Sequence, residues 1–265
     1  MRRVHRRLTH LAWDHAAMLR LISYLAPSIP AEFFELVAKV ISEGTGIDVH
    51  LRFDEQISGP LPGDANPFAD GTADVGFVCS PSYKWLRQEL HLLPVPVPAD
   101  VRADGRPVYF SDVVVHEQSP FMKFEDLRAR RWAYNDRNSR SGWLAMLEQV
   151  APLPPHEFFS EVVHAGSHLE SLRLVKTGQV DAAAIDSQTL LNEVGRGADM
   201  AAEVRVIESW GPFPIWPIVI RTGVPEHVRK SVHNALLRAH LRFGEPLRSY
   251  GFVRFVEAER AAYEA

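Results

Sequence analysis

The stretch RWAYNDRNSRSGW, residues 131–143, passes from a short strand-forming run through a polar turn into an amphipathic segment. Residues 131–135 read as a strand and 141–150 as a helix, so the turn sits at a helix N-terminus. The same order recurs on both sides. Upstream, 19–25 reads as a strand, Pro27, Ser28 and Pro30 as a turn, and Phe33, Leu36, Val37, Val40 and Ile41 fall at helical spacing with Gly44 as the stop. Residues 47–53 alternate as a half-buried strand does. Residues 73–80 form a continuous apolar run closed by a Ser-Pro turn, and 92–97 are extended. Next come a strand at 108–116 and a short helix at 124–130. Downstream, strands at 161–163, 180–186 and 204–208 alternate with helices at 169–176 and 188–194. An extended piece at 214–221 and a last long helix over 228–243 follow. This alternation predicts an α/β protein with a mainly parallel sheet in each half. In such sheets ligands bind beyond the carboxyl ends of strands.

Composition narrows the function. The chain has 265 residues, 46% hydrophobic and 23% charged, as an ordinary globular protein does. Its 29 basic against 33 acidic residues, net −4, demand no basic face and argue against nucleic acid as a partner. The single cysteine, Cys79, cannot form an internal disulfide. At the N-terminus, Arg2, Arg3, Arg6 and Arg7 are followed by His10, Asp14 and His15, which interrupt any apolar run of the length an export signal needs. No run approaches the length of a membrane span. Read as written, the chain is expected to be cytoplasmic. It is periplasmic only if the N-terminus is mis-assigned and Met18 is the true start.

Three loops carry candidate chemistry. In the first, Ser139, Arg140, Ser141 and Gly142 open a helix. The two serines can offer hydroxyls and first-turn amides to an anion, or one of them can simply cap the helix. In the second, Ser167 and His168 follow Gly166. Glu161, His164 and His168 do not have the spacing of a helix-borne zinc site, so no metal is expected. In the third, Asp186 ends a strand, where it can meet a ligand or cap the next helix. Tyr109 and Ser111 open the strand 108–116. Trp210, Phe213 and Trp216, set among prolines, read as core or hinge packing. The sequence has no nucleophile elbow, Walker loop or dinucleotide fingerprint, so no cofactor is expected.

Taken in order, the segments VYFSDVVVHEQSP, FEDLRARRWAYNDRNSRSGW, VVHAGSHLESLRLVKTGQVDAAAIDS and VRVIESWGPFPIWPIVIRTGVPEHVRKSVHNALL resemble the phosphonate/phosphite-binding family of periplasmic substrate-binding proteins. The resemblance covers roughly residues 19–240 and implies a two-lobed type-2 periplasmic-binding-protein fold with two hinge strands. Lobe one would comprise 19–107 plus 212–265, lobe two 108–211, and residues 1–18 a tail. It implies binding of a small phosphonate-, phosphate- or carboxylate-like anion, and an ABC permease as a possible partner. Ser139, Ser141 and Gly142 would hold the head group and His168, with Ser167 beside it, would add a hydrogen bond. Tyr109 would line the wall, and Asp186 would face a cationic or hydroxyl end of the ligand. Arg140 stands where the family has a small hydroxyl residue. Turned inward it would favour a more highly charged oxyanion; turned outward it would leave the family preference intact. The fold also resembles cytoplasmic enzymes of the menaquinone and thiamine-pyrimidine routes. On that alternative His168 and Asp186 would be acid and base.

Overall fold

A computed structural model of the chain describes residues 18–56, 58–195 and 203–264. The expected N-terminal tail therefore falls, up to residue 17, outside the described residues. Among the described residues the strands are β1 (Leu19–Ser23), β2 (Val49–Phe53), β3 (Val75–Phe77), β4 (Leu90–Leu92), β5 (Val95–Pro98), β6 (Val108–His116), β7 (Arg131–Tyr134), β8 (Glu161–His164), β9 (Ala182–Asp186), β10 (Val204–Pro214), β11 (Ile218–Arg221) and β12 (Phe252–Val256). The α-helices are α1 (Ala31–Thr45), α2 (Ser80–Leu86), α3 (Ala145–Val150), α4 (Pro155–Phe158), α5 (His168–Lys176), α6 (Ser187–Gly195), α7 (Glu226–Arg238) and α8 (His240–Ser249).

Two five-stranded sheets define two lobes, in the orders β2-β1-β3-β11-β4 and β10-β6-β9-β7-β8. A β12-β5 ribbon accompanies them. The α/β, two-lobed expectation holds, but each large sheet is mixed. β1 pairs with β2 and β3 in parallel while β11 runs antiparallel to β3 and β4. In the second sheet β7 is parallel to β8 and β9, whereas β6 is antiparallel to β9 and β10. The antiparallel strands are those next to the crossings between sheets, where the chain leaves one lobe and re-enters the other.

Local chemistry explains the other departures. β10 runs eleven residues, on to Pro214, beyond the expected 204–208, and β11 takes up the second part of the expected extended piece at 214–221. β10 tolerates Pro212 and Pro214 because it lies at a sheet edge, and its pairing with β6 slips between Trp210 and Phe213. The expected last long helix is two, α7 and α8, with non-helical backbone at Phe243. Gly44 does not end α1. A Cβ there would lie 2.5 Å from that of Ala235, so Gly44 lets α7 pack closely, and Gly46 at φ +73° makes the stop. From α1, Phe33, Phe34, Val37, Val40 and Ile41 enter the main core, each contributing roughly 1.5–3 kcal/mol by burial.

Across lobe one, the fully buried Asp74 ties strands together. Its carboxylate accepts from the Arg20 amide (3.0 Å) and guanidinium (2.9 and 3.0 Å) and from Arg221 Nε (2.7 Å). The two arginines hold its pKa below the usual carboxylate range against the opposing effect of burial, which is the largest single influence. Asp74→Asn leaves the shape and removes the charge both guanidiniums face. Chemical denaturation is expected to show a loss on the order of 3 kcal/mol, the lower part of the range for breaking a buried pair because both arginines reach solvent.

Candidate functional site

The sheets aim their loops at one cleft. The 24–29 turn after β1, the Cys79–Ser80 start of α2, the 135–141 loop after β7 and the start of α5 after β8 all line a single cavity. Three helical segments thus begin on its wall, α2, the helical turn from Arg140 and α5, and α1 starts two residues past Ile29. The amides of a helix's first turn have no carbonyl partner within the helix and carry its positive dipole end. The cavity holds about 40 Å³, room for roughly three or four water-sized groups.

The loop 135–142 is built around a backbone exception. Leu144 N–H and Ala145 N–H donate five residues back, to the Ser139 and Arg140 carbonyls, so the expected helix begins as a π-turn over Arg140–Leu144 before α3. Ser139 caps it, its Oγ accepting from Gly142 N at 3.0 Å. Gly142 is required by packing, because a Cβ there would lie 1.7 Å from Asn135 Oδ1. Asn135 is tucked beneath the turn and its buried Oδ1 has no protein partner. The sequence reading gave Gly142 direct contact with the ligand; its amide is instead used by Ser139, and its contribution is clearance.

Ser141 is the hub. Its Oγ lies 3.1 Å from His168 Nε2, and its carbonyl accepts from Ser111 Oγ at 2.8 Å. Ser111 is in register with Asp186 on β9, which brings the end of that strand to the same wall. The site residues Tyr109, Ser139, Arg140, Ser141, His168 and Asp186 therefore line one cavity. Ser167 does not: its Oγ accepts from Glu170 N at 3.0 Å and caps α5, a local interaction that outcompetes any outward role.

Arg140 lines the cavity, but its guanidinium turns outward. Nη2 donates to Glu148 Oε2 at 3.0 Å, Nη1 donates to Oε1, and the guanidinium carbon stands 4.1 Å from the centre of the Phe213 ring. Of the two orientations open to the sequence, this is the one that leaves the hydroxyls to define the site.

Burial keeps the lining close to neutral. It pushes the His168 imidazole down to about 4, with the Ala184 backbone acting the other way, and it pushes the Cys79 thiol up to about 12. The Tyr109 phenol is raised for the same reason. Asp186 is raised by burial to about 7, although the Gln188 and Thr189 amides that it caps favour its charged form. Among the described residues no group of three or more His, Cys, Asp or Glu is placed to hold a metal.

Lobe one contributes residues that local sequence reading did not select: Ser28, Ser58, Ser80 and Trp216. Two bonds cross the cleft. Ser28 Oγ accepts from the His168 amide at 3.4 Å, and Ser58 Oγ donates to Asp136 Oδ1 at 3.3 Å. Short polar turns after β1 and β2 were the available signal, but nothing local says that they face the 135–142 loop.

A two-lobed α/β fold with helix starts and hydroxyls converging on an interlobe cavity is that of a periplasmic-type solute-binding protein. The chain belongs to the family described as ABC transporter, phosphonate, periplasmic substrate-binding protein, whose profile matches residues 21–263. It is 29% identical over 140 residues to the phosphonates-binding periplasmic protein of Escherichia coli (strain K12), an alignment spanning 51% of this chain and 41% of that protein. The fold is similar to that of a binding protein component of an ABC phosphonate transporter from Pseudomonas aeruginosa, with TM-score 0.78, 17% identity and coverage of 94% and 83% of the two chains. It is also similar to PhnD1 from Prochlorococcus marinus (MIT 9301), solved in complex with methylphosphonate, with TM-score 0.74, 16% identity and coverage of 95% and 96%. The family is one of periplasmic proteins, which does not support the cytoplasmic expectation drawn from residues 1–17. No helix among the described residues is long and apolar enough to cross a membrane.

Asp186 sets a pH dependence. Its folded pKa, about 7, lies above the unfolded value of 3.8, so the folded state holds the proton more tightly. This contribution weakens the fold as pH rises from about 4 to 7 and is constant above. Asp186→Asn keeps the acceptor for Gln188 N and removes the titration. Urea denaturation is expected to show the variant more stable than wild type by about 2–4 kcal/mol at pH 8, with the difference vanishing near pH 4.

Proposed function

We propose that this chain binds a small phosphonate- or phosphate-like oxyanion between its lobes, as the substrate-binding component that serves an ABC permease in the periplasm. The observation that carries the reading is the convergence of helix starts and serine hydroxyls on one buried cavity, with the neighbouring arginine directed away. Oriented amides and hydroxyls stabilise a desolvated anion without neutralising it, so it can be released again.

Each residue then has a task. Ser139 Oγ already accepts from Gly142 N and has its proton to donate. His168 Nε2 and Ser141 Oγ share a hydrogen bond whose direction follows the imidazole tautomer; with the proton on Nε2, Ser141 Oγ accepts and keeps its own proton for the ligand. Tyr109 walls the head group. Asp186, with a pKa about 7, meets a hydroxyl of the ligand. The lobes would divide at about 107 and, because β10 stays in the second sheet through Pro214, at about 214 rather than 212. The chain passes between the sheets after β5 and again between β10 and β11, so these crossings serve as hinges. Ser28 and Ser58 reach across the cleft, and opening at these hinges would separate them from His168 and Asp136.

Calorimetric titration with methylphosphonate, phosphite, phosphate and small carboxylates tests this. Wild type is expected to bind a phosphorus oxyanion. Ser139→Ala with Ser141→Ala should weaken it by about two decades or more, since a hydrogen bond to a charged group is worth about 1.5–3 kcal/mol. Arg140→Thr should change the affinity less than about fivefold, because its ion pair with Glu148 is partly exposed. Equal binding by the double serine variant, or no binding of any of these anions, would overturn the reading.

A further inference from the structure

A second cavity of about 750 Å³ lies against the 40 Å³ site, and Ser80 and Arg140 line both. It runs between the lobes, from Pro81 and Tyr263 on one side to Leu144, Leu147 and Phe213 on the other. Most of its wall is carbon, and its size is that of pockets that accept a whole organic molecule. The site cavity, in contrast, is filled by an oxyanion head and little else.

The side chain between the two spaces is Arg140. It is stacked on Phe213 and paired with Glu148, whose side chain is 55% exposed. A pair of that kind exchanges readily with water, so the guanidinium can swing on its stem while the π-turn backbone stays in place. Its flat face also suits an aromatic ring.

We infer that this groove is a second subsite, which takes an apolar or aromatic substituent carried by the phosphonate. The inference rests on the proposed anion site. The head group stays at Ser139 and Ser141, and a benzyl- or hexyl-sized group leaves past Ser80 and Arg140 to lie against Leu144, Leu147 and Phe213. A methyl group is too short to reach this surface. The ligand class that fits the molecule is therefore an organophosphonate with a sizeable carbon substituent.

Calorimetry with methylphosphonate, benzylphosphonate and hexylphosphonate tests it on wild type and on two groove-filling variants, Leu147→Trp and the exposed-site Ala262→Trp. Wild type is expected to bind benzyl- or hexylphosphonate about tenfold or more tighter than methylphosphonate. Each tryptophan should erase that preference and leave methylphosphonate within about twofold, which also reports an intact fold. Methylphosphonate binding as tightly as the longer ligands, or a preference that survives both tryptophans, would overturn the groove while leaving the anion site standing. Loss of methylphosphonate in both variants would overturn it too, because the groove would then be inseparable from the anion site. If wild type binds none of the three, the anion site fails and the groove with it.

Discussion

An anion taken out of water must be met by dipoles or by a cation, because an uncompensated buried charge costs many kcal/mol. For the oxyanion we propose, the compensation falls to dipoles. Among the described residues the one cationic side chain on the cavity wall, Arg140, is engaged by Glu148 and Phe213, and the titratable groups His168, Cys79 and Tyr109 are kept neutral by burial. That constraint fixes the architecture. Helix N-termini must converge on one point, so the strands that precede them must end there. The parallel pairs β1-β3 and β7-β9 supply those ends.

The same constraint explains why the site straddles two lobes. Ser139, Ser141 and His168 belong to the second sheet's loops, while Ser28, Ser58 and Ser80 belong to the first. Neither set encloses an anion alone. Contacts away from the cleft hold the lobes in the same relation. Arg102 bonds to Asp112 on β6 and Ser209 on β10, and Gln188 on α6 donates to the Tyr250 carbonyl at 2.9 Å. Arg102 sits on the crossing that leads from β5 to β6, so its pairing links the hinge region directly to the edge of the second sheet.

What could be read from the sequence was what is written locally. The strand, polar turn and helix start of 131–143 are contiguous, and so are the strand and terminal Asp186; both were legible as candidate sites, and both line the cavity. The π-turn was not, and neither was the need for Gly142 in it, since the Asn135 side chain beneath Gly142 is placed by packing rather than by spacing. Ser167 read as a ligand group because caps and anion loops share the same residue types. Which one it is depends on where the hydroxyl points, and Glu170 N–H decides that. Parallel sheets were over-predicted because apolar runs such as 218–221 do not encode strand direction. The direction comes from the crossings between lobes, which are long-range. Ser28 and Ser58 were invisible for the same reason, being polar turn residues whose partners, His168 and Asp136, lie in the other half of the chain.

The most direct measurement of the central claim is a crystal structure of the protein grown with methylphosphonate. The account predicts shut lobes with the phosphonate oxygens within hydrogen-bond distance of Ser139 Oγ and Ser141 Oγ, and with Arg140 still on Glu148. A phosphonate neutralised by an inward-turned Arg140, or one held by a single lobe with the cleft open, would contradict it.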